Sequence, residues 1–217
     1  MFALDANAAK AADVKTASIQ QAGKYKGKIV HAEYVENGAT GSKNISINFK
    51  TDDGQDARFF LNMVYQHDQQ NTTNHKLLSA ILACLKLRNT GNTAKATLEK
   101  WSSTTQQREA VEADVFPDLA GKKIGFLVQM EIDKRSTDGK ARPTIYMPFD
   151  YDSEKTASEV LATPPVMKAE VLAKAVQFVL DKPLVDRRPH GAASAPAATN
   201  GYQAPAMPDA FDDDIPF

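Results

Sequence analysis

Cysteine is nearly missing from this 217-residue chain: Cys84 stands alone. That excludes an internal disulfide and a multi-cysteine zinc site, and it suits a reducing cytoplasm. Tryptophan is as scarce, with Trp101 alone, and aromatics make up 8% of residues, so each one outside the core has to be accounted for individually. No apolar run approaches the length of a membrane span. The stretch Met1–Gly23 is alanine-rich but broken by Asp5, Lys10, Asp13 and Lys15, so it lacks the apolar centre of a signal peptide. Lys and Arg are absent from 191–217, where Asp209, Asp212, Asp213 and Asp214 collect. The first 190 residues therefore hold 26 basic against 23 acidic residues, a body at +3 behind an overall charge of -1. A mildly basic body with an acidic tail suits a nucleic-acid binder that also binds proteins.

Catalytic patterns are lacking too. His67 and His75, with Asp68 beside the first, have no cysteine or carboxylate cluster to complete a metal set. Gly91-Asn92-Thr93-Ala94-Lys95-Ala96-Thr97 lacks the glycine before lysine and the hydroxyl directly after it that a phosphate loop requires. No nucleophile elbow occurs. Asp114, Asp118, Glu131 and Asp133 show no recognisable metal spacing and read as solvated charges. No enzyme, cofactor or metal is expected.

What is present is strand alternation. Lys24–Val35 reads as a long strand with Val30, Ala32 and Tyr34 on one face and a bulge at Gly27. After the turn Glu36–Gly41, Ile45, Ile47 and Phe49 alternate with Asn44, Ser46, Asn48 and Lys50. Asp52-Asp53-Gly54 then turns into Asp56–Val64, where Phe59, Leu61 and Met63 oppose Arg58, Phe60 and Asn62. Asn74 fits an N-cap for an amphipathic helix over 75–87, built on Leu77, Leu78, Ile81, Leu82 and Leu85. A polar insertion, 88–121, surrounds Trp101 and suggests short helices near 95–100 and 107–113. A fourth strand follows Gly121, with Ile124, Phe126, Val128, Met130 and Ile132 on one face. After Ser136–Gly139 a fifth carries Ile145, Met147 and Phe149.

Three strands, a helix and two strands is the chain order of the OB-fold, a small five-stranded Greek-key barrel. The expected class is thus mainly β, with the barrel domain spanning 24–151 after an N-terminal segment 1–23. A helical extension, 152–188, carries an amphipathic helix over 166–180 with Val171, Leu172, Ala175, Val176 and Val179 on one face. It packs on the barrel or else mediates homo-oligomerisation. Residues 189–210 are Ala, Pro, Gly, Ser and Asn with almost no large apolar side chains, too few to offset ordering entropy, and read as a disordered linker. About 20 such residues span roughly 25 Å.

Single-strand binders combine a basic groove with aromatic platforms, each stacked base contributing roughly 1–3 kcal/mol. On an OB barrel that surface is the outer face of strands two and three with the flanking loops. Here it offers Asn48, Lys50, Arg58, Phe60 and Asn62, with Lys24, Lys26 and Lys28 on the first strand and Lys122 and Lys123 on the fourth. Lys134, Arg135, Lys140 and Arg142 surround the last turn. Each has a second reading. One bulge would turn Phe60 into the core, strand lysines often only prevent edge pairing, and Tyr34 and Tyr146 fit packing. Trp101 either stacks a base or, as favoured here, anchors the insertion to the barrel.

The final residues, Phe211-Asp212-Asp213-Asp214-Ile215-Pro216-Phe217, set three carboxylates beside two apolar anchors, with Pro216 limiting the backbone. Such a hook fits a pocket with an apolar floor and a basic rim. It resembles the C-terminal tip of bacterial single-stranded DNA-binding proteins. The likeness covers the tip and linker; the body, with its long insertion and extra helix, resembles instead the divergent OB-fold binders of bacteriophages. The resemblance implies binding and protection of single-stranded DNA without strong sequence preference during replication, recombination and repair. It also implies recruitment of enzymes of those processes through Asp212, Asp213, Asp214, Ile215, Pro216 and Phe217, in the cytoplasm of a bacterial host. The alternatives are a protein-interaction module that mimics the host tip without holding DNA and, below it, a DNA-processing nuclease.

Overall fold

Alternation of apolar and polar residues in 42–64 produces the two most regular strands of the computed structural model, which describes residues 18–65, 69–102, 104–164 and 169–189. Strand β2 (Ser42–Thr51) pairs antiparallel with β3 (Asp56–Val64) on one side and with the 15-residue β1 (Gly23–Asn37) on the other. Inward go Ile45, Ile47, Phe49, Ala57, Phe59, Leu61 and Met63, all buried. Phe60 points outward, as its alternation implied, and is 59% exposed.

Strand β1 departs from the expected pattern. Its register with β2 skips a residue between Ile29 and His31, so the bulge falls at Val30 and not at Gly27. Ile29 and Ala32 are fully buried while Val30 is exposed. The extra residue bends the strand and lets lysines 24, 26 and 28 share an outer face with His31 and Glu33. Gly27 has another duty: a Cβ there would meet the backbone of Lys50 and Thr51, so the glycine permits close passage of two strands.

Helix α1 (Thr72–Cys84) closes one end of the core with Ile81 and Cys84. It starts earlier than the sequence implied, because Asn71 is the N-cap and accepts from Asn74 N at 3.2 Å. Asn74 instead donates through Nδ2 to the Asn62 carbonyl at 2.9 Å, tying the helix to β3. Burial and the charge of Asp150 push the Cys84 thiol up to about 12.

The insertion is not helical. It forms a β-hairpin, β4 (Ala94–Ser102) and β5 (Gln107–Val115), and β5 pairs with β1 at Glu33 and Tyr34. Ala, Glu and Lys favour helix locally, but pairing with β1 overrides that preference. A 3₁₀ turn, Pro117–Leu119, follows and inserts Phe116 and Leu119 into the main core.

Strand β6 (Lys123–Ile132) was expected to be half-buried, yet Leu127 and Gln129 are covered as well as Ile124, Phe126 and Val128. It pairs with β1 through 123–128, with β7 (Arg142–Phe149), and in parallel with the short β8 (Leu184–Asp186). Its second face is covered by α3 (Ala169–Asp181), which lies against β1 and β6 and buries Leu172 and Val179. Gln129 Nε2 donates to the Lys182 carbonyl at 2.8 Å just beyond that helix. A register shift in β7 also separates Ile145, which packs on the main core, from Met147 and Phe149 opposite Leu127 and Gly125. The single-face expectation for those three fails because Tyr146 is the extra residue. A short helix, α2 (Ala157–Leu161), completes the chain order, opened by a capping box between Thr156 and Glu159.

The result is a mainly β architecture: one open, mostly antiparallel sheet curled around Phe49, Phe59 and Phe126, whose centroids lie 4.9 to 6.2 Å apart. β3 and β7 lie against each other, but no ladder joins them among the described residues. Ile19, ahead of β1, is buried in the same core, so the segment before β1 contributes to it.

Candidate nucleic-acid interface

Strand register determines which outer side chains stand side by side. Lys123, Lys28 and Lys50 face one another across β6, β1 and β2 in a single row that ends at Asp56 on β3. Like charges set directly opposite cost about 0.2–1 kcal/mol per pair. Among the described residues no carboxylate pairs with Lys28 or Lys50. An anion laid across the row would remove that cost.

The next row is His31, Asn48 and Arg58, and the one after it Glu33, Ser46 and Phe60. Asn48 Nδ2 and His31 Nε2 lie 2.8 Å apart. Arg58 Nε donates to Ser46 Oγ at 2.7 Å, and its guanidinium carbon lies 4.5 Å from the centroid of Phe60. The arginine thus fixes an exposed ring on the sheet surface, leaving ring area open to solvent. Burial holds the His31 imidazole below its usual range; nearby Glu33 pulls upward, while Arg58 and Lys100 push further down.

The outer face ends in a second cluster where β1 meets β6. Gly125 makes room for Phe149, whose ring a Cβ at 125 would strike. Lys24 lies 5.9 Å above that ring. Lys26 and Lys123 lie 5.4 and 4.9 Å from the centroid of Tyr151, whose hydroxyl donates to Asp52 at 2.8 Å. Glu154 takes salt bridges from Lys24 at 2.8 Å and Lys26 at 2.9 Å. Those hydrogen bonds, outweighing its partial desolvation, hold the Glu154 carboxyl below its ordinary value.

Seven of the expected residues therefore share one continuous outer face: Lys26, Lys28, Asn48, Lys50, Arg58, Phe60 and Lys123. Lys134, Arg135, Lys140 and Arg142 do not join it. They lie in or beside the β6–β7 loop, exposed, the length of β6 away from Lys123, roughly 30 Å at strand rise. Trp101 does not anchor the insertion, since it is 62% exposed opposite Arg108 on the hairpin face that turns away from Lys100. The tip residues, Asp212 to Phe217, lie outside the described residues.

Four participants were not foreseen: His31, Glu33, Lys100 and Tyr151. Lys28 shares a face with His31 and Glu33 only because of the bulge at Val30, which alternation alone did not place. Lys100 was hidden by the helical reading of the insertion. Among the described residues no group of His, Cys, Asp and Glu could hold a metal ion, and no helix is long and apolar enough to cross a membrane. No protein-family model matches this chain, and no curated protein sequence matches it significantly.

Proposed function

We propose that this protein binds and protects single-stranded DNA across the outer face of β1, β2 and β3, on a barrel of the OB type. Its chain order supports that fold: three strands, a helix and two further strands, with the β4–β5 hairpin inserted ahead of the fourth barrel strand. The observation that carries the function is the pairing of an exposed Phe60, held by Arg58, with a lysine row four residues, roughly 13 Å, away along the strands, in which Lys28 and Lys50 pair with no carboxylate among the described residues. The ring offers a sequence-tolerant platform for a base, and the row offers counter-charges for phosphates. The tip, on its resemblance, recruits replication, recombination and repair proteins while the body stays on DNA in a bacterial cytoplasm. The resemblance to bacteriophage binders belongs to the same proposal.

Fluorescence anisotropy with labelled oligonucleotides of graded length tests this directly. Affinity should rise with length to a plateau and fall with salt. Retention of no unpaired oligonucleotide in dilute buffer would leave the protein-interaction reading in its place.

A further inference from the structure

A buried acid in the middle of a phosphate-binding face calls for an explanation. Glu33 is 4% exposed, and its carboxylate is held by two cations. Arg58 Nη2 lies 3.6 Å from Glu33 Oε2, and Lys100 Nζ donates to Glu33 Oε1. Lys100 comes from far along the hairpin. Glu33 pairs with Val115, which pairs with Ala94, so those three define the hairpin base. Lys100 is six residues further on, roughly 20 Å of straight strand, more than the two side chains together can span. The hairpin must therefore arch back over the outer face. Strand parity agrees: Lys100 lies on the same hairpin face as Leu98 and Val111, and Val115 shares its face with Glu33.

We infer that Glu33 and Lys100 form a latch that holds the β4–β5 hairpin over the DNA path, with the Glu33 carboxylate standing where a backbone phosphate binds. This rests on the single-stranded DNA reading above and deepens it. An arriving phosphate takes over Arg58 and Lys100, the latch opens, and the strand passes beneath the hairpin, between Leu98 and Val111 above and Phe60 below. Glu33 is thus a built-in competitor, and Lys100 serves both states. Its charge holds the hairpin closed without DNA and holds the strand once DNA is present.

The test compares wild-type protein, Glu33→Gln and Lys100→Gln by stopped-flow binding of a fluorescein-labelled oligothymidylate, with amide exchange of β4 and β5 measured without DNA. A competitor weakened by about 1 kcal/mol corresponds to about fivefold in affinity. Glu33→Gln should bind about fivefold tighter, and both variants should associate faster. Only Lys100→Gln should also dissociate faster. Hairpin amides should exchange faster in both. A folded Glu33→Gln protein with unchanged or weaker binding overturns the latch. If Glu33→Gln fails to fold, an unchanged association rate in Lys100→Gln overturns it as well. Failure of wild-type protein to bind the oligonucleotide sinks the functional reading instead, and unaltered hairpin exchange then separately removes the latch.

Discussion

On the proposed function, Phe60 and Arg58 together make a platform that neither makes alone. A lone surface phenylalanine rotates freely and loses that freedom on binding. Here the guanidinium at 4.5 Å and its hydrogen bond to Ser46 fix the ring before any ligand arrives. Replacing Phe60 by Ala should weaken oligonucleotide binding by roughly 1–3 kcal/mol, about five- to hundredfold, without lowering the melting temperature. Phe60→Trp should retain binding, because a base needs a flat face rather than a particular ring. Loss of stability together with affinity would show that the ring packs and does not stack. Asp150 is a different case, since its role is structural. Burial alone would raise its carboxyl, but hydrogen bonds from Ser153 N at 2.8 Å and Ser153 Oγ at 2.6 Å, with Lys86 at 3.1 Å, outweigh it and hold it low. A folded value below the ordinary 3.8 stabilises the protein fully above that value and loses the contribution as acid protonates the folded carboxyl. Chemical denaturation from pH 6 down to pH 2 should show a fall in stability below about pH 4 that Asp150→Asn flattens.

At the scale of elements, α3 and the β4–β5 hairpin are opposite cases. Helix α3 buries Leu172 and Val179 on β6 and leaves Phe178 and Leu180 exposed. Leu172→Ala should therefore cost about 2–5 kcal/mol in denaturant unfolding, and Leu180→Ala no more than about 0.5 kcal/mol. Equal costs would mean that a second surface covers the exposed side. That helix was legible because its apolar residues recur at helical spacing and need only one partner face. Strands β2 and β3 were legible for the same reason, including the outward Phe60. The hairpin was not, because its sheet partner is β1, some 80 residues earlier in the chain for Glu33 and Val115, and local composition carries no trace of that pairing. The bulges at Val30 and Tyr146 were missed likewise. Each shifts register by one residue, which reverses the face of everything beyond it, and glycine is not where either occurs. The lysine row was present in the sequence only as scattered positions, and strand register turned them into neighbours.

For the whole molecule, charge is divided between a body at +3 and a tail bearing four acids, and the division makes two measurable demands. Salt dependence belongs to the body. Changing Lys28, Lys50 and Lys123 to Gln together should reduce the slope of log affinity against log salt by about 2, at roughly 0.7 per phosphate contact on a single strand. The same exchange at Lys134, Arg135, Lys140 and Arg142 tests whether the path continues to the far end of β6. An unchanged slope there would confine DNA to the outer face of β1, β2 and β3, and a lost slope would extend it by the length of that strand. On the proposed function, recruitment belongs to the tail. Deleting Asp212–Phe217 removes three aspartates that repel phosphate and two apolar anchors that have no partner on DNA. Oligonucleotide affinity should therefore stay equal or increase, while capture of replication and repair enzymes on immobilised protein disappears. A large drop in DNA affinity on that deletion would mean that the acidic end supports the binding face, and the separation of the two activities would no longer hold.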